Sequence, residues 1–154
     1  MERTFVMIKP DGVQRRLAGE ILARFERKGL KIVGLKLLMM PKAQAENLYS
    51  VHKGRPFYDG LMQFVTASPV VVMVWEGTRA IEIVRTMLGK TFSYEAAPGT
   101  IRGDFGASKG FNLIHGSDSA ESAAREIPIF FPKGELVDYQ SVDREWVYEG
   151  PERE

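Results

Sequence analysis

The chain has no cysteine, which removes disulfide bridges, thiolate zinc sites and a cysteine nucleophile together. Histidine is nearly as scarce: only His52 and His115 occur, too few and too badly spaced for a zinc site. No apolar run approaches the roughly 20 residues needed to cross a bilayer. The N-terminus passes straight into a strand-like pattern, with no signal or transit segment. A soluble, cytoplasmic protein without membrane association is the expectation. A dominant charge is missing too: 21 basic against 20 acidic side chains leave a net charge of +1. Such a balance supplies no field for general attraction to nucleic acid or anionic lipid, so any positive charge that matters is local. What is present is ordinary globular composition, 44% hydrophobic and 27% charged over 154 residues. That suits one domain over residues 1–154, with 150–154 as a loose tail.

The common phosphate-binding signatures are also missing. Gly89-Lys90-Thr91 resembles the end of a P-loop, but Val84 stands where its first glycine belongs and the preceding segment reads as helix. Asp104-Phe105-Gly106 lacks the glycine-rich loop and His-Arg-Asp element of protein kinases. No G-x-G-x-x-G occurs, so a dinucleotide fold has no support.

Hydrophobic spacing then organises the chain. Thr4–Lys9 reads as a strand closed by the turn Pro10-Asp11-Gly12. Leu17, Ile21, Leu22 and Phe25 share a helical face that Gly29 ends. Leu30–Met40 alternates as a strand, and Pro41 stops it. Short helices are expected over Ala43–Val51 and Phe57–Val65. The continuous apolar run Pro69–Trp75 suits a strand covered on both faces. Thr78 is placed to cap the next helix, which runs to Gly89. Lys90–Phe111 has no periodicity, and so long a loop in a compact domain is usually functional. Asn112–His115 is a short strand, and the final helix starts at Asp118 or Ser119, with Glu121 completing a capping box if Asp118 is the cap. Pro128 is expected to end it. The order is that of an α+β (α/β sandwich) fold, a ferredoxin-like split βαβ antiparallel sheet covered by helices, here expected on one face. In that topology the last strand lies antiparallel beside the first. Lys9 then neighbours Asn112, and His115 sits about 10 Å further along.

His115 ends its strand before Gly116, Ser117 and Asp118, held by backbone on one side and open on the other. A neutral imidazole has a free lone pair and can attack phosphorus; a hydrogen-bonded structural histidine is the rival reading, and the one His52 fits. A nucleophile needs its other nitrogen oriented, for which Ser117 and Glu126 are candidates. Arg85, beside the apolar stripe near a helix C-terminus, suits dipole stabilisation as well as a phosphate role. Arg102, flanked by glycine in the long loop, presents a fork where backbone can approach phosphate. Phe57 is either a core residue or a platform for a base.

Four segments resemble one known family. They are Ile8-Lys9-Pro10-Asp11-Gly12-Val13, Arg55-Pro56-Phe57, Pro98 through Phe105, and Asn112 through Ser119. In this order and spacing they are similar to the nucleoside diphosphate kinases, and the resemblance runs from Glu2 to about Glu149. It implies ping-pong transfer of the γ-phosphoryl of a nucleoside triphosphate to His115, as the pros-phosphohistidine, and then to a nucleoside diphosphate, with broad base tolerance. It also implies that Lys9 and Asn112 hold the ribose, and that Arg85, Thr91 and Arg102 clamp the phosphates. Phe57 and Leu61 would meet the base, Tyr49 would lie close to the imidazole, and Ser117 and Glu126 would orient it. Magnesium (Mg2+) would arrive on the nucleotide. A homo-oligomer follows, a hexamer or alternatively a tetramer, with the long loop at subunit contacts. Departures from the family pattern are Lys109, Phe111, Phe92-Ser93 and Pro128.

Three other functions compete. An RNA-binding module on the same sheet would need basic and aromatic residues on central strands, and Val70–Trp75 carries no charge. A catalytically dead regulator disagrees with intact His115, Lys9 and Arg102. Net hydrolysis through the same phosphohistidine is the third, and no nucleic acid is required by any feature of the chain.

Overall fold

The computed structural model describes residues 1–153, and Glu154 lies outside them. The chain begins with strand β1 (Glu2–Ile8), a short helix α1 (Pro10–Gln14), helix α2 (Ala18–Arg27) and strand β2 (Lys31–Leu38). Helices α3 (Lys42–Leu48) and α4 (Tyr58–Thr66) lead into strand β3 (Val70–Gly77) and helix α5 (Ala80–Leu88). Helix α6 (Ile101–Phe105), strand β4 (Ile114–Gly116), helix α7 (Ala120–Phe130) and helix α8 (Arg144–Val147) complete it. The sheet order is β2-β3-β1-β4, antiparallel at every pairing. This is the split βαβ, α+β arrangement expected.

The helices cover both faces, which corrects the one-face expectation. Phe5, Met7, Val72 and Val74 pack toward α3, α4 and α7 through Leu48, Val65 and Phe130. Val6, Ile8, Met73 and Trp75 pack toward α2 and α5 through Ile21, Phe25, Val84 and Leu88. Central strands apolar at every position have two faces to remove from water, and one helical layer cannot do it. Among the described residues no helix is long and apolar enough to cross a membrane.

Local differences have local causes. The Pro10-Asp11-Gly12 turn opens a helical turn, since Pro at its first position needs no N–H partner. Thr78 does not cap α5: its hydroxyl donates to the Glu152 carbonyl at 2.8 Å, and Glu2 Oε2 accepts from Ile81 N at 2.8 Å instead. Ser119 caps α7 by accepting from Ser122 N, so no capping box forms with Glu121. Pro128 does not end α7, which continues to Phe130. A mid-helix proline costs about 3 kcal/mol, but the turn it would release carries Phe130, which is 3% exposed. That ring stacks on Phe5 at 5.0 Å. Gln44 Nε2 and Lys36 Nζ also donate to the Ile129 and Phe130 carbonyls of that turn. The aperiodic stretch 90–111 holds α6 and a 3-10 turn at Ser93–Glu95. Gly150–Arg153, within the tail expected to be loose, forms another such turn, tied by Arg153 Nε to the Tyr148 carbonyl at 2.8 Å.

Candidate active site

His115 lies in β4 opposite Met7 of β1. Its Nε2 is 3.0 Å from Glu126 Oε1, the oxygen that also accepts from Ser117 Oγ at 2.7 Å. Glu126 comes from α7 and is 3% exposed. Arg125 Nη2 approaches its other oxygen at 3.5 Å. A carboxylate oxygen only accepts, so the arrangement assigns the proton to Nε2 and the lone pair to Nδ1. No hydrogen bond from the described residues reaches Nδ1. The rings of Phe5 and Tyr49 flank the imidazole, with centroids 5.9 and 5.7 Å away. Burial holds the histidine pKa below its ordinary value; Glu126 opposes this, and the cations Lys9 and Arg85 reinforce it. The imidazole is therefore neutral at pH 7 while remaining 19% exposed.

Cations converge beside it. Lys9, at the end of β1, donates from Nζ to Asn112 Oδ1 at 2.8 Å. Burial, with Arg102 nearby and Asp11 opposing, brings the lysine pKa down to about 8. Arg102 is 3% exposed and is lowered to about 10, first by burial and then by Arg85. Its guanidinium donates to the carbonyls of Asn112 (3.1 Å), Gly89 (3.1 Å) and Ile114 (2.6 Å). The expected phosphate fork thus also holds three backbone segments together. Arg85 Nη1 reaches the Gly116 carbonyl at 3.3 Å. Cations that depress one another's pKa make an environment stabilised by a bound anion.

The remaining candidates differ in burial. Tyr49 is buried beside His115, its hydroxyl has no hydrogen-bond partner among the described residues, and burial pushes its pKa up so that the phenol stays neutral. Thr91 is exposed, and it is its carbonyl that accepts from Asn112 Nδ2 at 2.9 Å. Phe57 is 54% exposed, with its ring edge-on to His52 at 5.3 Å. His52 in turn packs on Tyr49 at 6.1 Å. Exposure removes the core reading of Phe57. Leu61 is partly buried, packed against the α3–α4–α7 core. The departures pair with other rings: Lys109 Nζ lies 5.1 Å over Phe92, and Phe111 stacks on Phe64 at 4.7 Å. Sequence reasoning missed Arg125, Phe5 and the contact made by Asp11. Phe5 was findable, because it shares a face with Met7 opposite His115. Asp11 was visible only as a turn residue.

Known proteins resemble this chain over nearly its whole length. The family model described as nucleoside diphosphate kinase matches residues 2–136. A nucleoside diphosphate kinase of Carboxydothermus hydrogenoformans is 56% identical over 97% of this chain and 100% of its own. One of Archaeoglobus fulgidus is 55% identical over 97% and 99%. The structure of a halophilic nucleoside diphosphate kinase from Halobacterium salinarum in complex with CDP superposes with a TM-score of 0.94 at 52% identity, covering 96% of this chain and 99% of that one. The chain belongs to the nucleoside diphosphate kinase family and is an enzyme that transfers phosphoryl groups between nucleoside tri- and diphosphates.

Proposed function

We propose that His115 carries the phosphoryl group between two half-reactions, and that its Nδ1 is the atom that bonds phosphorus, as the pros-phosphohistidine. The observation that carries this reading is the Nε2–Glu126 contact at 3.0 Å, which leaves the lone pair on Nδ1. In the first half-reaction the Nδ1 lone pair forms a bond to the γ-phosphorus of a nucleoside triphosphate. The bond from that phosphorus to the bridging oxygen breaks, and its electron pair leaves with the diphosphate. The imidazole then carries positive charge, and Glu126 stabilises it through the retained Nε2 proton, with Ser117 fixing the carboxylate. In the second half-reaction a terminal oxygen of a different diphosphate attacks the same phosphorus, and the electron pair returns to Nδ1.

Lys9 and Asn112, joined at 2.8 Å, hold the ribose hydroxyls. Arg85, Thr91 and Arg102 meet the phosphate oxygens, Arg102 mainly as a fixed charge behind the backbone it supports. Tyr49 walls one side of the imidazole. Phe57 stacks on the base with Leu61 beside it; every base has a π-face, so the site is broad in base specificity. Magnesium would arrive as part of the substrate and would supply neutralising charge to its phosphates, while Arg85, Thr91 and Arg102 would hold the nucleotide. The converging cations and amide fit that division of labour, since they bind phosphate and sugar oxygens rather than metal.

The enzyme works as a cytoplasmic homo-oligomer, a hexamer or alternatively a tetramer. Edge strand β2 supports self-association: Leu35 and Leu37 within it and Met39 just after it are 53, 68 and 55% exposed on alternate residues, and an exposed apolar edge needs a cover. The test of the chemistry is incubation with γ-labelled ATP and magnesium. Label enters the protein in an acid-labile, alkali-stable form, and GDP discharges it as labelled GTP. Uptake of the same label by His115→Ala overturns the reading, and release of free phosphate in place of GTP favours hydrolysis.

A further inference from the structure

Between Asn112 and His115 the backbone makes a turn that leucine does not favour. Ile114 N donates to Asn112 O at 2.8 Å, an i to i+2 bond closed around Leu113, whose φ is +72°. Non-glycine residues in this region cost on the order of 1–3 kcal/mol and persist only where surroundings impose them. Arg16 and Arg79 also have positive φ, but both are exposed, whereas Leu113 is fully buried. Something holds this turn, and it sits between two residues of the proposed site.

The holding groups come from three directions. Lys9 N donates to Leu113 O at 2.8 Å. Arg102 grips the carbonyls on either side of Leu113. The N–H of Leu113 donates to Asp11 Oδ2 at 3.0 Å, the only one of these contacts made by an acidic side chain. Asp11 is brought there by the helical turn α1. Gly12 lets α1 approach, since a Cβ on it would lie 2.6 Å from Ile8 Cγ2 and 3.0 Å from Leu113 O.

We infer that Asp11 is a positioning residue: by accepting from Leu113 N it holds the strained turn that sets Asn112 against His115. The inference rests on the proposed roles of those two residues, and Asp11 touches neither substrate nor reacting atoms. Without its acceptor a buried N–H is orphaned and Leu113 gains a reason to leave the left-handed region. Asn112 and His115, joined through that residue, then lose their mutual registry.

The experiment is a double-mutant cycle on the full-length enzyme, read as kcat/KM for phosphoryl transfer well below every melting midpoint. Asp11→Ala should lose about tenfold or more. Asp11→Asn keeps an acceptor oxygen in the same place and should recover most of that loss. In the background of Leu113→Gly, which adopts positive φ without a Cβ penalty, Asp11→Ala should cost several-fold less than in the parent. Leu113→Asn, also tolerant of that region, serves in the same cycle if the glycine variant does not fold. Equal losses for Asp11→Ala and Asp11→Asn, or a loss undiminished in the Leu113 background, overturn the inference. So does a lowered melting temperature with unchanged kcat/KM, which marks a purely structural role. Failure of the underlying site reading shows separately, as label uptake by His115→Ala whatever the Asp11 variants do.

Discussion

Lys9 is a buried ammonium, 7% exposed, whose pKa is brought down from 10.5 to about 8. Replacing it with methionine, similar in length and uncharged, should stabilise the fold at neutral pH while damaging the enzyme. Below pH 8 both folded and unfolded chains carry the proton, and the folded one bears the full cost of a buried charge. Between pH 8 and 10.5 the unfolded chain binds the proton that the folded chain has lost, so parent stability rises with pH. The shift from 10.5 to about 8 corresponds to a cost of about 3 kcal/mol at pH 7. The variant leaves Asn112 Oδ1 without its donor, which returns about 1–3 kcal/mol. The expected net gain at pH 7 is therefore about 0–2 kcal/mol, and the more telling quantity is its pH dependence. Relative to the parent, the variant's advantage should shrink by about 2 kcal/mol between pH 7 and 9.5. Urea unfolding of both proteins at matched protomer concentration gives the difference, with subunit association held constant. A difference that is flat across this range, or that widens, refutes the reasoning. In kinetics the parent's kcat/KM should fall as pH rises through about 8, as the cation is lost, and that limb should be missing from the variant.

The remaining predictions concern the other parts of the site. Glu126→Gln removes a charged hydrogen bond to Nε2 and should slow single-turnover phosphorylation about 10- to 100-fold. Because Glu126 raises the histidine pKa against burial, the same variant should move the acid limb of kcat/KM to still lower pH; movement upward contradicts the assignment. Phe57→Ala should raise KM about 5- to 100-fold, to a similar degree for purine and pyrimidine nucleotides, if each base stacks there. A loss confined to one base, measured across four diphosphates, argues for edge recognition instead. Leu37→Asp on the exposed β2 edge should lower the oligomeric mass in light scattering, and an unchanged mass places the subunit contact elsewhere.

The architecture was readable because its determinants are periodic. The apolar run Pro69–Trp75 announced a central strand covered on both faces, and β3 is buried from Val70 to Trp75. That same run already conflicted with helices on one face only. Pro128 was misread because proline acts locally while Phe130, two residues on, is held by Phe5 at the far end of the chain. Thr78 failed as a cap for a similar reason, since its acceptor is the Glu152 carbonyl. At the site, strand pairing alone placed Lys9 beside Asn112, and the structure brings them to 2.8 Å. Glu126 was legible as a partner for His115, but its neighbour Arg125 and the grip of Arg102 on three carbonyls were not. Two of the Arg102 contacts, to Asn112 and Ile114, flank the turn at Leu113, where spacing rules have no purchase on a residue with φ of +72°. Arg125 reaches the Asn47 and Leu48 carbonyls, distant in the chain.

The central claim, that phosphoryl passes through one nitrogen of His115, is tested most directly on the phosphoenzyme itself. Enzyme mixed with magnesium ATP and no acceptor, then analysed under alkaline conditions by mass spectrometry and by NMR of nitrogen-labelled histidine, reports both residue and atom. One phosphoryl group per chain, bonded to Nδ1 of His115 and removed on adding GDP, is the predicted result. Steady turnover without any adduct at His115, or an adduct on Nε2, contradicts the account.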